Sequence, residues 1–208
     1  MTPTPLPERC IAFDGLTHIA TGPLADVAPA VKRVLDRGDH GEVVVLDART
    51  SAPVELDTRG TEADVARRYA AAVAAPPPPA DEEPPATRGR GRPRLGVVAR
   101  EVTLLPRHWD WLATQPGGAS VALRKLVEEA RRVNAGRDAA RQARDIAYRF
   151  MSTVANPLPT LEEAIRALYA GDRKRFETLV GDWPPAMREH VTALAAPAFD
   201  VPAPAGPG

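Results

Sequence analysis

A proline-rich segment in the middle of the chain limits what the rest can fold into. Residues 76–94 read PPPPADEEPPATRGRGRPR and hold seven of the chain's 23 prolines. Proline lacks a backbone N–H and clashes with the preceding helical turn, so this segment cannot form the interior of a helix or strand. It is predicted to be an extended linker. The linker separates a small α+β domain at 11–75 from a mainly helical region at 95–195, and we expect disordered ends at 1–10 and 196–208.

The N-terminal domain is predicted to combine four strands with two helices, the fourth strand being indicated by the alternation in residues 53–60. The run Val43–Leu46 consists of four apolar, β-prone residues, which indicates a central strand covered on both faces. An Asp-Gly pair at 14–15 is typical of a tight hairpin between two further short strands. Helical spacing predicts a helix over 24–35 that begins at Pro29 or is kinked there, and Thr61 with Asp64 predicts a capping box that starts a second helix.

Residues 95–133 follow a distinctive order of local signals. The β-prone segment Val97–Leu105 is followed by Pro106, which favours the first turn of a helix. A Gly-Gly pair at 117–118 ends that helix, and Ser120 is predicted to cap the next one. Trp109 and Trp111 are two residues apart and cannot share a helical face, so we expect one to pack in the core and the other to be exposed.

The helix after the glycine pair has one apolar stripe at helical spacing, formed by Leu123, Leu126, Val127, Ala130 and Val133. Beyond Val133, Gly136 is predicted either to break the helix or to weaken it, and further helices are predicted up to residue 195. The fold class predicted for the whole chain is therefore α+β, with the linker followed by a strand and a helical bundle.

The order strand, proline, short helix, glycine and capped helix over 95–133 resembles ribbon-helix-helix repressors. That resemblance implies a dimer in which one strand from each chain enters the DNA major groove. Two alternating faces of the strand remain possible, with either Leu105, Thr103 and Glu101 or Val98, Val102 and Leu104 facing inward. The sequence Arg90-Gly91-Arg92-Pro93 resembles the core of an AT-hook, which implies binding in the minor groove of A/T-rich DNA.

The amino-acid sequence of the same stretch, with GRGRPRLGV ahead of it, also resembles an uncharacterised bacterial family, the domain of unknown function 2239 family. The similarity runs from about Ile11 to Ala195. It implies no particular activity, so any function must be inferred from the residues themselves.

A net charge of zero conceals an uneven distribution. Residues 88–150 carry 14 Lys and Arg against 6 Asp and Glu, an excess of eight positive charges, and the flanking regions are acidic. Such a concentration favours contact with a phosphate backbone, although a solvated arginine-rich surface would show the same count. The residues predicted to contact DNA are Arg88, Arg90, Arg92, Arg94, Arg100, Arg107, Ser120, Arg124 and Lys125.

Several other classes of protein lack support in the sequence. No apolar run reaches the roughly 20 residues that span a bilayer, and the N-terminus lacks a secretory signal pattern. The single cysteine and four scattered histidines form no disulfide or zinc pattern. We therefore expect a cytoplasmic protein with no cofactor and no metal.

Three functions remain in order of preference. The first is a DNA-binding protein, either a transcriptional regulator or a nucleoid-associated factor, dimeric through residues 97–133. The second is a non-enzymatic adaptor of unknown partner. The third is an enzyme that uses acid–base groups among Asp14, His18, His40, Asp47 and Asp57, although no spacing among them requires catalysis.

Overall fold

The structure of the chain is a computed structural model that describes residues 6–74, 98 and 100–200, with side chains omitted at 72–74. It divides into two compact units. The first comprises residues 1–77 and 136–208, and the second comprises residues 78–135. Within the described ranges, no helix is both long enough and apolar enough to cross a membrane.

A three-stranded antiparallel sheet forms the centre of the first unit. Its strands are β1 (Cys10–Asp14), β2 (Thr17–Gly22) and β3 (Val43–Asp47), in the order β2-β1-β3. The predicted turn at Asp14-Gly15 joins β1 to β2, and Gly15 adopts a φ of 54° that glycine tolerates readily. The predicted α+β class is thus confirmed.

The central strand is β1 rather than β3, so the prediction that Val43–Leu46 forms the central strand was wrong. Strand β3 pairs with β1 on one side. On its other side it makes only the single bridge Leu46–Pro53, so the partner strand predicted over 53–60 was wrong. Strand β3 is nevertheless covered on both faces, as is β1. Because side chains alternate along a strand, β1 directs Ile11 and Phe13 to one hydrophobic cluster and its other buried residues to a second.

Two helices cover one face of the sheet. Helix α1 (Leu24–Arg37) is continuous through Pro29, so the helix does not begin at the proline. Its buried residues repeat at helical spacing and pack with β1 and β3 in one cluster. Helix α2 (Glu62–Ala74) begins with the predicted capping box: the Asp64 carboxylate accepts from the Thr61 backbone N–H at 2.9 Å, and Thr61 Oγ1 accepts from the Asp64 N–H at 3.3 Å.

The C-terminal helices cover the opposite face. They are the end of α4 (Ala119–Val154), then α5 (Leu161–Ala170), α6 (Arg173–Val180) and α7 (Pro185–Ala195). A 3₁₀ helix, Ala196–Phe199, follows and buries Ala198, so the ordered chain extends past the predicted boundary at 195. Phe150 lies at the centre, with its ring centroid 5.8 Å from that of Phe13 and 4.8 Å from that of His190.

The sheet and the C-terminal helices therefore share one core. Ile11, Phe13 and Leu46 belong to the same cluster of buried side chains as Phe150 and Met187. The sequence analysis predicted separate domains at 11–75 and 95–195, whereas one compact unit combines residues 1–77 with residues 136–208. The polypeptide leaves the first unit near residue 77 and returns to it at Gly136.

The second unit begins, among described residues, with an irregular segment. Residues 98 and 100–105 form no strand in the single chain, contrary to the strand predicted over Val97–Leu105. Helix α3 (Pro106–Ala113) starts at the predicted proline, preceded by Leu105 in an extended conformation. The glycines at 117 and 118 both have positive φ, which explains why the chain turns there before α4.

Helix α4 differs from the prediction at its start, and it decides between the two alternatives predicted at Gly136. It begins at Ala119, so Ser120 lies inside the first turn and is not the N-cap; the carbonyl of Gly118 accepts the first hydrogen bonds, from the N–H groups of Val121 and Ala122. The helix is unbroken at Gly136, so the predicted break does not occur. A single glycine costs only about 1 kcal/mol relative to alanine in a helix interior, which neighbouring helix-forming residues offset.

Candidate nucleic-acid interface

The predicted DNA-contacting residues fall into two groups. Arg88, Arg90, Arg92 and Arg94 lie outside the described residues. The remaining basic residues, Arg100, Arg107, Arg124 and Lys125, are all described and all exposed. Arg100 lies in the irregular segment, Arg107 is the second residue of α3, and Arg124 and Lys125 are neighbours on the second turn of α4.

These four cations form no ion pair with any carboxylate in the described part of the chain. The one recorded hydrogen bond among them runs from Arg124 Nε to the Ser120 carbonyl, at 3.0 Å. A cation with no internal carboxylate keeps its full charge for an external anion, and a guanidinium with donors to spare can bind a phosphate. Their positive charge is therefore available to a ligand.

Other arginines in the basic region are already occupied. Arg131 pairs with Glu128 at 3.0 Å, and Arg132 pairs with Glu129 at 2.6 Å. Arg149 donates to the Thr50 carbonyl at 2.7 Å and so ties α4 to the loop after β3. The charge count could not show this distinction, because Glu128 and Glu129 lie one helical turn from Arg124 and Lys125 as well, and only the structure shows that they pair with the arginines that follow them.

Ser120 is exposed and lies at the N-terminal end of α4, where free backbone N–H groups favour anions. Its hydroxyl does not cap the helix, so the physical reason for predicting it as a phosphate contact is reduced to its position. The four exposed cations described above, rather than Ser120, therefore define the candidate interface.

The second unit also exposes much apolar surface, which the sequence analysis did not anticipate. Eleven large hydrophobic side chains are exposed in the described part of the chain, and eight of them lie between residues 98 and 133. Both tryptophans are among them, Trp109 at 43% and Trp111 at 51%, so the expectation that one packs in the core was wrong. The buried residue of α3 is Leu112, at 2%. Soluble monomers seldom leave such surface uncovered without a binding role.

The candidate acid–base residues have structural partners. Asp14 Oδ1 accepts from the Gly41 N–H at 2.7 Å, and Asp47 Oδ1 accepts from two backbone N–H groups in the turn after β3. The Arg59 guanidinium, through hydrogen bonds to both carboxylate oxygens, holds the pKa of Asp57 well below its usual range. These carboxylates stabilise turns, and no three His, Cys, Asp or Glu side chains converge as a metal site would require among the residues described.

A surface depression of about 220 Å³ has Asp14 and His18, two of the candidate acid–base residues, in its lining. Another, of about 780 Å³, is lined by Arg59, Gly60, Asp64, Arg67 and Arg68 and is open to solvent. Its arginines are held by Asp57 and Asp64. The arrangement is a network of surface ion pairs around the start of α2.

His190 is a half-buried residue that the sequence analysis did not single out. Its Nε2 is inaccessible and has no hydrogen-bond partner among the described residues, and its ring packs on Phe150. Burial, with a smaller contribution from the nearby His18, lowers the pKa of His190 below its ordinary value of 6.5. His190 follows the buried Met187 of α7 by three residues and so lies near the core-facing side of that helix. Because histidine is found both buried and exposed, the sequence pattern did not predict that its ring nitrogen would be buried.

We expect the stability of the protein to fall as the pH drops below 6.5, because His190 is harder to protonate in the folded state. The unfolded chain then binds more protons than the folded one, so stability is full above the unfolded pKa and declines below it, by at most about 1.4 kcal/mol per pH unit for one proton. Urea unfolding at pH 7.5, 6.0 and 5.0 measures this. The variant His190→Leu should show a shallower decline than the wild type, and an equal decline would refute the assignment.

Comparisons with known proteins are consistent with this description but add no activity. No curated protein and no solved structure matches the chain. A family profile matches residues 9–195, which covers both the sheet with its helices and the basic region. The chain therefore belongs to the family described as "uncharacterized protein conserved in bacteria (DUF2239)".

Proposed function

We propose that the protein binds double-stranded DNA as a homodimer through residues 97–133, as a transcriptional regulator or nucleoid-associated factor. The observation that supports this most directly is the set of exposed cations without carboxylate partners: Arg100, Arg107, Arg124 and Lys125. Neutralising phosphates with such side chains releases counterions and supplies sequence-independent affinity.

The arginines at 88–94 would add to this affinity. The segment precedes the described interface directly in the chain, and its Arg-Gly-Arg-Pro core matches the chemistry of a minor-groove peptide. Proline keeps such a peptide extended, and glycine permits close approach to the groove floor. The proposal concerns contact with the phosphate backbone rather than base reading, since neither alternating set of side chains over 100–105 forms a row of basic residues.

A gel-shift titration with an A/T-rich duplex tests the proposal. The variant Arg90→Ala/Arg92→Ala should bind at least about tenfold more weakly than the wild type, because two contacts to a polyanion are lost. The matched control is Arg131→Ala/Arg132→Ala, which removes equal charge from side chains already paired with Glu128 and Glu129. The control should lose less affinity than the Arg90/Arg92 variant.

The two kinds of failure have different meanings. Equal binding by the wild type and the Arg90/Arg92 variant would exclude the minor-groove contribution alone. No shift at low salt for the wild type would exclude DNA binding, and would favour the alternative of an adaptor that uses the exposed apolar residues of 98–133 to contact a protein.

A further inference from the structure

The first four turns of α4 carry an apolar stripe that the described chain leaves largely uncovered. Leu126 is 48% exposed, Val127 is 54% exposed and Val133 is 67% exposed. Leu123 is half-buried and Ala130 is exposed on the same side of the helix. We call these five residues, Leu123, Leu126, Val127, Ala130 and Val133, the α4 seam.

The spacing of the seam is that of a helix that pairs with another helix. Leu123, Leu126, Ala130 and Val133 follow one another at intervals of three, four and three residues, which is the alternation of a heptad repeat. Val127 widens the stripe on one side. The small side chain of Ala130 in the middle would allow a second helix to approach closely, and Arg137 ends the pattern at the next heptad position.

The charges around the seam are arranged so that pairing would bury none of them. Glu128 and Arg131 pair with each other on the outer face of the helix. Glu129 pairs with Arg132 in the same way, through contacts three residues apart. The seam itself holds no charged residue, so a second copy of the same stripe meets apolar with apolar and leaves no buried ion without a partner.

The exposed area also suits a second copy that contacts more than one element. Apolar surface on the seam amounts to roughly half of the about 800 Å² per partner that a stable interface buries. The remainder is available on Val102, Leu105, Trp109 and Trp111, which are exposed in the same unit. Two heptads alone are too few for an independent coiled coil, so the seam needs this additional surface.

We propose that a second copy of this chain packs along the α4 seam, so that the dimer is formed by helices whether or not residues 97–105 also pair as a ribbon. The inference rests on the homodimer of the proposed function and does not require that the dimer bind DNA.

Cysteine cross-linking tests the seam directly. The only native cysteine, Cys10, is fully buried, and burial, aided by the negative charge of Asp47, raises the pKa of its thiol to about 11, so it reacts poorly with oxidants. Ala130→Cys should therefore form a disulfide-linked dimer on mild oxidation of the full-length protein. Arg124→Cys lies outside the seam, about 120° away from Ala130 around the same helix; it is the matched control and should stay largely monomeric on a non-reducing gel.

Sedimentation of charge variants gives an independent measurement. Leu126→Asp/Val133→Asp should raise the dimer dissociation constant at least about a hundredfold, because two apolar contacts are lost and two charges are placed in the interface. The substituted side chains are exposed in the single chain, and a native circular-dichroism spectrum verifies that the variant folds. Val102→Asp should weaken the dimer less.

The outcomes separate the seam from DNA binding. A wild-type monomer at 100 µM, or equal cross-linking at 124 and 130, would overturn the seam. If Val102→Asp abolishes the dimer and the seam variant does not, the ribbon alone holds the two copies and the seam is again excluded. A dimer that cross-links at 130 but does not shift DNA would support the seam while contradicting the proposed function.

Discussion

Phe150→Ala is expected to destabilise the protein by about 3–5 kcal/mol, the cost of deleting a fully buried aromatic ring and leaving a cavity. Phe150 is 0% exposed, and its ring lies against Phe13 of β1 and His190 of α7. Urea denaturation followed by circular dichroism measures the loss. Because the ring connects the sheet to the C-terminal helices, the loss should appear in a single cooperative transition.

The matched control is Ser152→Ala, two residues later on the same helix. Ser152 is exposed, and its hydroxyl donates to the Arg149 carbonyl within the helix itself, so its removal should change the stability by no more than about 0.5 kcal/mol. A loss below about 1 kcal/mol for Phe150→Ala, or two separate transitions in the wild type for residues 6–74 and 136–200, would contradict a shared core.

Local signals in the sequence predicted the elements whose formation depends on neighbouring residues. The capping box at Thr61 and Asp64 formed with aspartate in place of the commoner glutamate, because a carboxylate three residues on can still reach the N-cap N–H. Helix α3 begins at Pro106, and the glycine pair at 117–118 lies in the turn between α3 and α4. In each case the interaction spans four residues or fewer.

Predictions that depended on the rest of the chain were less successful. The run Cys10–Phe13 is as continuous in apolar residues as Val43–Leu46, yet it contains alanine, which has weak strand propensity, and no valine, so the central position of β1 was missed. Periodicity cannot show which surfaces meet across the 58 residues of the second unit. The packing of Ile11 and Phe13 against the C-terminal helices is therefore visible only in the structure.

The DNA-contacting residues remain a prediction. The charge count showed an excess of positive charge over 88–150, but it did not indicate that Arg131 and Arg132 are paired while Arg107, Arg124 and Lys125 pair with no described carboxylate. Helical spacing likewise identified the apolar stripe of α4 without showing whether the chain covers it. Exposure is a property of the tertiary arrangement, and the structure supplies it.

If the proposed function is right, DNA affinity should fall by roughly 10³-fold or more between 50 and 200 mM salt, as expected when six or more phosphates are neutralised. Four exposed cations of the second unit and the arginines at 88–94 together provide enough positive charge for that number in each chain. Fluorescence anisotropy with a labelled duplex, repeated at several salt concentrations, gives the slope of log affinity against log salt.

Replacing Arg107, Arg124 and Lys125 by glutamine should make that slope shallower by up to about three units per chain, since each lost phosphate contact contributes about 0.9. These side chains are exposed and form no ion pairs with the described carboxylates, so the substitutions should leave the folded state intact. Arg166→Gln, which removes a surface charge already held by Glu162 and Glu163 outside the second unit, should leave the slope unchanged. An unchanged slope in the triple variant would mean that DNA, if bound, meets a different surface, because the number of neutralised phosphates cannot stay constant when the neutralising cations are removed.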